Sequence, residues 1–162
     1  MNYGQRSMGT EILVIGYGNP LRGDDGVGCV IAEELAKRIR DPQSKVQVVA
    51  CHQLNPELAE PIAETRAVIF IDASIELKPG EVRVTTVAPD RFSPAALAHN
   101  MKPSALLATA SELFGQAPPA KSVGIGGASF EVGKKLTPEV RKAVSNALAA
   151  VEKEIASYLK SH

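Results

Sequence analysis

Two adjacent aspartates stand in the stretch GYGNPLRGDDGVG, which follows a short apolar run near the start of the chain. A phosphate-binding loop at this position would not carry Asp24 and Asp25, because acidic groups near a helix N-terminus repel a pyrophosphate. The stretch also lacks the third glycine of GxGxxG and the GK[ST] of a P-loop. The acidic pair therefore predicts a site for a cation.

Helix capping is the alternative explanation for this pair. Aspartate is favoured at the N-cap and in the first turn, because it accepts hydrogen bonds from unpaired N–H groups and meets the positive end of the helix dipole. Capping explains one of the two carboxylates well and the second poorly. We therefore expect Asp24 to cap the following helix and Asp25 to face the site.

Three further polar side chains are candidate ligands for the cation. Asp72 ends the apolar run RAVIFID, where a carboxylate is costly unless it is metal-bound, paired or hydrogen-bonded to the next turn. His99 precedes a predicted helix and His52 follows a predicted strand, and each, taken alone, is most simply a surface histidine. Two carboxylates and an imidazole would suit Zn²⁺ or Ni²⁺ better than Mg²⁺.

Other catalytic patterns are missing from the sequence. It contains no GxSxG and no HExxH, and it offers no convincing pairing of cysteine with histidine. Cys29 lies one turn beyond Asp25, and we expect it to be a small buried residue, as free cysteine usually is. The candidate chemistry therefore rests on the carboxylates and the histidines.

The elements that must position these residues follow from the periodicity of apolar positions. Strands are expected over 11–16, 45–51, 66–72, 80–89 and 121–128, and helices over 26–40, 55–64, 103–114 and 137–159. The fourth strand follows the third after about eight residues, too few for a parallel crossover, so it should run antiparallel. The loop with Asp24 and Asp25, His52 and Asp72 then fall at the carboxyl ends of parallel strands, where such sheets bind ligands.

Composition limits the class of protein. The chain of 162 residues is expected to form one domain over 11–162 after a flexible tail over 1–10, and its 44% hydrophobic residues are ordinary for a globular protein. Eighteen basic and eighteen acidic residues cancel, which argues against nucleic-acid binding and against docking on an anionic membrane. No apolar run approaches the ~20 residues of a membrane span, and the N-terminus lacks the apolar region of a signal peptide. Two cysteines without a CxxC pattern suggest a reducing, cytoplasmic location.

With these residues in view, the sequence resembles the hydrogenase maturation proteases, endopeptidases that trim the C-terminus of the large subunit of nickel–iron hydrogenases. The resemblance extends from Glu11 to about Ala150. It is carried by the segments ILVIGYGNPLRGDDGVG, VIFIDAS, AHNMKPSALLATASELFG and VGIGGASFEVGKKLTPEV. The first segment fits the family pattern GNxLxxD(D/E)GxG after a strand.

The resemblance implies the fold and the site residues. The fold would be α/β, a three-layer α/β/α sandwich of the phosphorylase/hydrolase-like type, whose mixed five-stranded sheet has one antiparallel strand. Asp25, Asp72 and His99 would recognise the metal, with the two aspartates also as catalytic residues and His52 as a fallback ligand. The metal would be Ni²⁺ carried by the substrate, and Zn²⁺ or Cd²⁺ could occupy the site of the isolated protein.

The resemblance also implies the activity and the partner. The protein would be an aspartic-type endopeptidase that cleaves a nickel–iron hydrogenase large-subunit precursor after nickel insertion, with no nucleic-acid or membrane partner. Either the metal activates the scissile carbonyl or a bound water, or an aspartate acts as general base. Two other functions stay open: a stand-alone metal-dependent hydrolase (an exopeptidase or phosphohydrolase) and a non-catalytic nickel metallochaperone.

Overall fold

The structure, a computed structural model, describes residues 9–98 and 101–161. These ranges contain five strands and four α-helices, which alternate except that β4 follows β3 directly. The strands are β1 (Ile12–Tyr17), β2 (Val46–Cys51), β3 (Ala67–Ser74), β4 (Val82–Val87) and β5 (Ala120–Gly126). The helices are α1 (Val27–Arg38), α2 (Ala59–Ala63), α3 (Pro103–Phe114) and α4 (Pro138–Ser161), and short 3₁₀ turns span Gly23–Gly26, Pro56–Leu58 and Pro94–Ala98.

The strands form one mixed sheet in the order β2-β1-β3-β5-β4. β1, β2, β3 and β5 are parallel, and β4 runs antiparallel to β5 at the edge. The predicted antiparallel fourth strand is therefore confirmed. It does not pair with β3, its neighbour along the chain, because β5 lies between them.

Two apolar clusters, one on each face of the sheet, hold the helix layers. Residues such as Val14, Ile69 and Val123 pack against α1 and α4, and their sequence neighbours Leu13 and Phe70 pack against α2 and α3 on the other face. This alternation is what a parallel sheet covered on both faces requires. The predicted three-layer α/β/α fold with a mixed five-stranded sheet is confirmed.

Several boundaries differ from the predicted ones. The helix expected over 26–40 begins with a 3₁₀ turn and ends at Arg38, and the helix expected over 55–64 likewise begins with a 3₁₀ turn. Asn55 precedes that second turn, and its side chain accepts a hydrogen bond from Glu57 N at 3.0 Å, as an N-cap should. β3 continues to Ser74, so Asp72 lies within the strand rather than at its end.

The N-terminal region is described only from Gly9. Residues 1–8 lie outside the described residues, so the flexible tail over 1–10 and the single domain over 11–162 stay predictions. Among the helices of the described ranges, none has the length and apolar character needed to cross a membrane.

Candidate active site

The glycine-rich loop after β1 folds back on itself and presents Asp25. Gly18 has φ 140°, and a side chain there would collide with the carbonyl oxygen of Asp25, so only glycine fits. The amide of Asn19 donates a hydrogen bond to Asp25 Oδ2 at 2.8 Å. The tight turn therefore fixes the position of one carboxylate oxygen.

Asp25 lines a cavity of about 320 Å³ at the carboxyl edge of the sheet. Tyr17 lines it from the end of β1, Arg22 from the loop that follows, His52 from the loop after β2, and Met101 from the segment before α3. His52 is exposed, while Met101 is buried. The loops that follow the neighbouring strands β1 and β2 thus meet at one site, as parallel pairing of these strands requires.

Asp72 lies on β3, and its carboxylate is held by Tyr17. The Tyr17 hydroxyl donates a hydrogen bond to Asp72 Oδ2 at 2.8 Å. Burial raises the pKa of Asp72 to about 6; the hydrogen bond from Tyr17 lowers it, and the negative charge of Asp25 raises it further. Burial, followed by the charge of Asp72, also raises the pKa of Tyr17, so that Tyr17 stays a protonated donor.

Asp24 does not cap the helix that follows it, and that expectation was wrong. Its fully buried carboxylate accepts hydrogen bonds from the amides of Ala128 and Ser129 at 2.8 and 3.0 Å, and from the amide and hydroxyl of Thr137 at 2.7 and 2.9 Å. Burial acts to raise the pKa of Asp24, but these hydrogen bonds outweigh it and the pKa is lowered. Asp24 therefore fastens the glycine loop to the segment before α4.

The third predicted ligand, His99, lies outside the described residues. Among the residues at 9–98 and 101–161, no group of three or more histidine, cysteine, aspartate or glutamate side chains is arranged to hold a metal ion. The set of Asp25, Asp72 and His99 therefore stays a prediction.

Tyr17 is the residue that sequence reasoning missed. It stands between two glycines as the last residue of β1 and belongs to no catalytic sequence pattern. The available signal was its position: Tyr17 and Asp72 lie near the carboxyl ends of β1 and β3, which pair in the sheet. A phenol and a buried carboxylate at neighbouring strand ends are candidates for a hydrogen bond.

Cys29 is buried, as expected. Its thiol donates to the carbonyl oxygens of Cys51 at 3.3 Å and Gly18 at 3.4 Å. Burial, and then the charge of Glu33, raises the pKa of Cys29 to about 11, so the protonated form prevails near neutral pH. The thiol therefore helps to hold the loop.

The fold and the two carboxylates define an α/β protein whose site lies at the carboxyl edge of a mixed sheet, the usual ligand position in such sheets. The protein family described as HycI, hydrogenase maturation protease, matches residues 29–154. The chain therefore belongs to the hydrogenase maturation protease family. Asp72 and His99 lie within the matched residues, and Asp25 lies just before them.

Solved structures of this family share the fold. The hydrogenase maturating endopeptidase HybD from E. coli is 27% identical, with a TM-score of 0.70 over 91% of this chain and 93% of that one. An endopeptidase from Escherichia coli, solved in solution, is 30% identical, with a TM-score of 0.66 over 87% and 89%. The [NiFe] hydrogenase maturation protease HycI from Thermococcus kodakarensis, 21% identical with a TM-score of 0.69 over 91% and 93%, supports the fold alone. Comparison with curated protein sequences gives no match.

Proposed function

We propose that this protein is an endopeptidase that removes the C-terminal extension of a nickel–iron hydrogenase large-subunit precursor once nickel has been inserted. Membership of the hydrogenase maturation protease family supports the activity and the class of substrate. One observation carries the nickel-recognition part. Asp25 lies in the turn after β1 and Asp72 lies on β3, yet the two carboxylates are near enough for the charge of Asp25 to raise the pKa of Asp72, and Tyr17 both lines the Asp25 cavity and donates a hydrogen bond to Asp72.

The donor set suits a cation that arrives with the substrate. In the free protein the two negative charges oppose each other, and a divalent ion between them would offset that repulsion. Tyr17 occupies Oδ2 of Asp72, and Oδ1 accepts no hydrogen bond from the described part of the chain, so it is available to an ion. We include His99 because Met101, two positions along the chain, lines the Asp25 cavity, and His52 in the same cavity is the alternative imidazole.

In this proposal the nickel of the precursor acts as a checkpoint. Asp25, Asp72 and His99 would coordinate the ion, and coordination would position the scissile bond for hydrolysis. A precursor without nickel would meet only two repelling carboxylates and would not be held. Zn²⁺ or Cd²⁺ would bind the same donors in the isolated protein.

Two chemical routes are compatible with these groups. The ion can polarise the scissile carbonyl or lower the pKa of a bound water. Alternatively, an aspartate takes the proton from the attacking water, and Asp72, whose pKa of about 6 lies close to neutral pH, is better suited to that role than an ordinary carboxylate. Two free cysteines are in keeping with a reducing compartment, and we propose the cytoplasm as the site of the reaction.

The test is cleavage of a nickel-loaded large-subunit precursor, followed by intact-mass measurement. Asp25→Asn, Asp72→Asn and His99→Ala should each slow the appearance of the shortened subunit by at least about 100-fold, because each removes a ligand or the general base. Asp41→Asn is the matched control, since Asp41 is exposed in the loop after α1, near the opposite edge of the sheet.

The outcomes separate the two parts of the proposal. Wild-type cleavage rates in all three variants would contradict the proposed roles of Asp25, Asp72 and His99, but the protein would still be a protease. A wild-type protein that binds the precursor without shortening it would remove the endopeptidase activity.

A further inference from the structure

Among the residues at 9–98 and 101–161, no helix covers one face of the sheet near its β4 edge. On β5, Ala120 is buried in the cluster beneath α2 and α3, whereas Ser122 and Gly124, the next residues on the same face, are only partly buried. The residue type changes from apolar to small or polar where the helices end. This change indicates a solvent-accessible surface. A face that helices normally cover would carry apolar residues instead.

The neighbouring strand β4 changes from apolar to polar residues at the positions that pair with this part of β5. Val87 packs against the cluster, and along the same face Thr85 and Arg83 are exposed. Thr85 pairs with Ser122, and Arg83 pairs with Gly124. The bare area therefore extends over two strands.

This bare face is the floor of a cavity of about 230 Å³ that reaches the candidate active site. Asp72 lines one end, Arg83 the other, and Leu77 from the loop after β3 forms part of the wall. Gly124 pairs with both Asp72 and Arg83 across the sheet. Two strand spacings separate these ends, about 10 Å, which is the length of about three residues of extended chain.

We propose that this groove, defined by Asp72, Arg83, Thr85, Ser122 and Gly124, binds the extended segment of the precursor next to the scissile bond. The inference rests on the proposed function. Only if a peptide bond of the precursor is cleaved beside Asp72 must the precursor chain continue into the space next to that residue. The segment enters at Asp72, crosses β5 above Gly124 and reaches β4.

The chemistry of the floor fits a peptide main chain. The hydroxyl groups of Ser122 and Thr85 make no hydrogen bond to other described residues, so they can donate to carbonyl groups of a bound segment. Gly124, lying between them and Asp72, places no side chain in the path.

The charged residues that line the groove determine which substrate groups can bind at its two ends. Arg83 is the one cation among the described residues that line the groove, whose acidic lining residues are Asp72 and Glu76. The contact of Arg83 with Glu81 at 2.7 Å is an exposed ion pair, which contributes little stability. A carboxylate of the substrate can therefore take the place of Glu81. The preferred segment carries an acidic group about three residues from the scissile bond.

Filling the groove is the direct experiment, because Gly124 has room for a Cβ. That atom would meet Leu77 Cδ1 at 3.5 Å, Arg83 O at 3.8 Å and Ser74 Cβ at 4.0 Å, all ordinary van der Waals distances. In cleavage of a nickel-loaded precursor, Gly124→Val and Thr85→Leu should raise KM by about 10-fold or more and leave kcat within about threefold, because binding and not chemistry is obstructed.

Matched controls separate the groove from general damage to the strand. Thr86→Leu places the same side chain on the opposite face of β4, where Thr86 is also exposed, and should leave KM unchanged. Arg83→Glu should raise KM more than Arg83→Gln, because it adds repulsion of the acidic group to the loss of attraction. Thermal unfolding confirms that each variant is folded.

The outcomes distinguish this inference from the function on which it rests. Wild-type KM values for folded Thr85→Leu and Arg83→Glu would contradict the peptide-binding role of the groove. Cleavage by the wild-type protein would still support the endopeptidase activity. Equal increases for Thr85→Leu and Thr86→Leu would also overturn the groove. Failure of the wild type to shorten the precursor would overturn both.

Discussion

The carboxyl group of Asp72 is held where its charged form is unfavourable. Its pKa is near 3.8 in the unfolded chain and about 6 in the fold. Between these values the folded protein binds more protons than the unfolded one, so the contribution of Asp72 to the free energy of unfolding falls as the pH rises from about 4 to above 6. At neutral pH the metal-free protein therefore carries a penalty that a bound cation would relieve.

Replacing Asp72 by asparagine should remove this penalty. In the presence of a chelator, Asp72→Asn should raise the free energy of unfolding by up to about 3 kcal/mol at pH 7.5 and change it little at pH 4, where Asp72 is mostly protonated in the fold. Urea unfolding at the two pH values measures the difference. A gain of equal size at both pH values, or none at pH 7.5, would contradict the electrostatic explanation.

The neighbouring aspartates show how far residue types alone can predict a site. The pattern predicted that one would be structural and the other would face the site, and Asp25 does line the cavity. The hydrogen-bond partners of Asp24 lie more than a hundred positions away along the chain. The residues around Asp24 therefore could not indicate these partners, and they pointed to a helix cap instead. Tyr17 was missed for the same reason, because Asp72 is 55 positions distant.

At the scale of elements, Asp24 links the loop after β1 to the start of α4. Its Oδ2 accepts three hydrogen bonds and its Oδ1 accepts one, all from the segment 128–137. The lowered pKa means that this link stabilises the fold fully above pH 3.8, and the stabilisation is lost as the pH falls below that value.

An amide at this position cannot satisfy all four donors. Asp24→Asn should therefore lower the free energy of unfolding by about 3 kcal/mol or more at pH 7, since one amide nitrogen faces donors in a buried site. The loss should shrink as the pH falls below 3.8, because Asp24 takes up a proton in the unfolded wild-type chain before it does so in the fold. Chemical unfolding of Asp24→Asn and wild type at pH 7 and pH 3 checks both parts. A variant as stable as wild type at pH 7 would contradict this role.

The elements themselves were largely predictable from the sequence. Apolar periodicity placed all five strands and four helices to within a few residues, because each buried face repeats along the chain. The short connection between β3 and β4 predicted that β4 runs antiparallel, but it did not predict which strand β4 pairs with. That β5 inserts between β3 and β4 depends on pairing between distant segments, which periodicity does not encode.

At the scale of the whole molecule, Tyr17 connects two spaces at the carboxyl edge of the sheet. It lines the cavity that contains Asp25, and its hydroxyl holds Asp72 beside the groove on β5 and β4. In our proposal the nickel centre of the precursor meets the acidic groups, and the peptide to be cut continues into the groove. Tyr17 would then contribute both to the recognition of the metal and to the position of Asp72 at the start of the peptide groove.

The most direct test of this account compares nickel-loaded and nickel-free forms of the same large-subunit precursor, incubated with the wild-type protein and measured by intact mass. If the protein recognises nickel, the nickel-loaded form should lose its C-terminal extension, while the nickel-free form should keep it over the same period. Equal shortening of both forms would contradict recognition through nickel, and shortening of neither would contradict the endopeptidase itself.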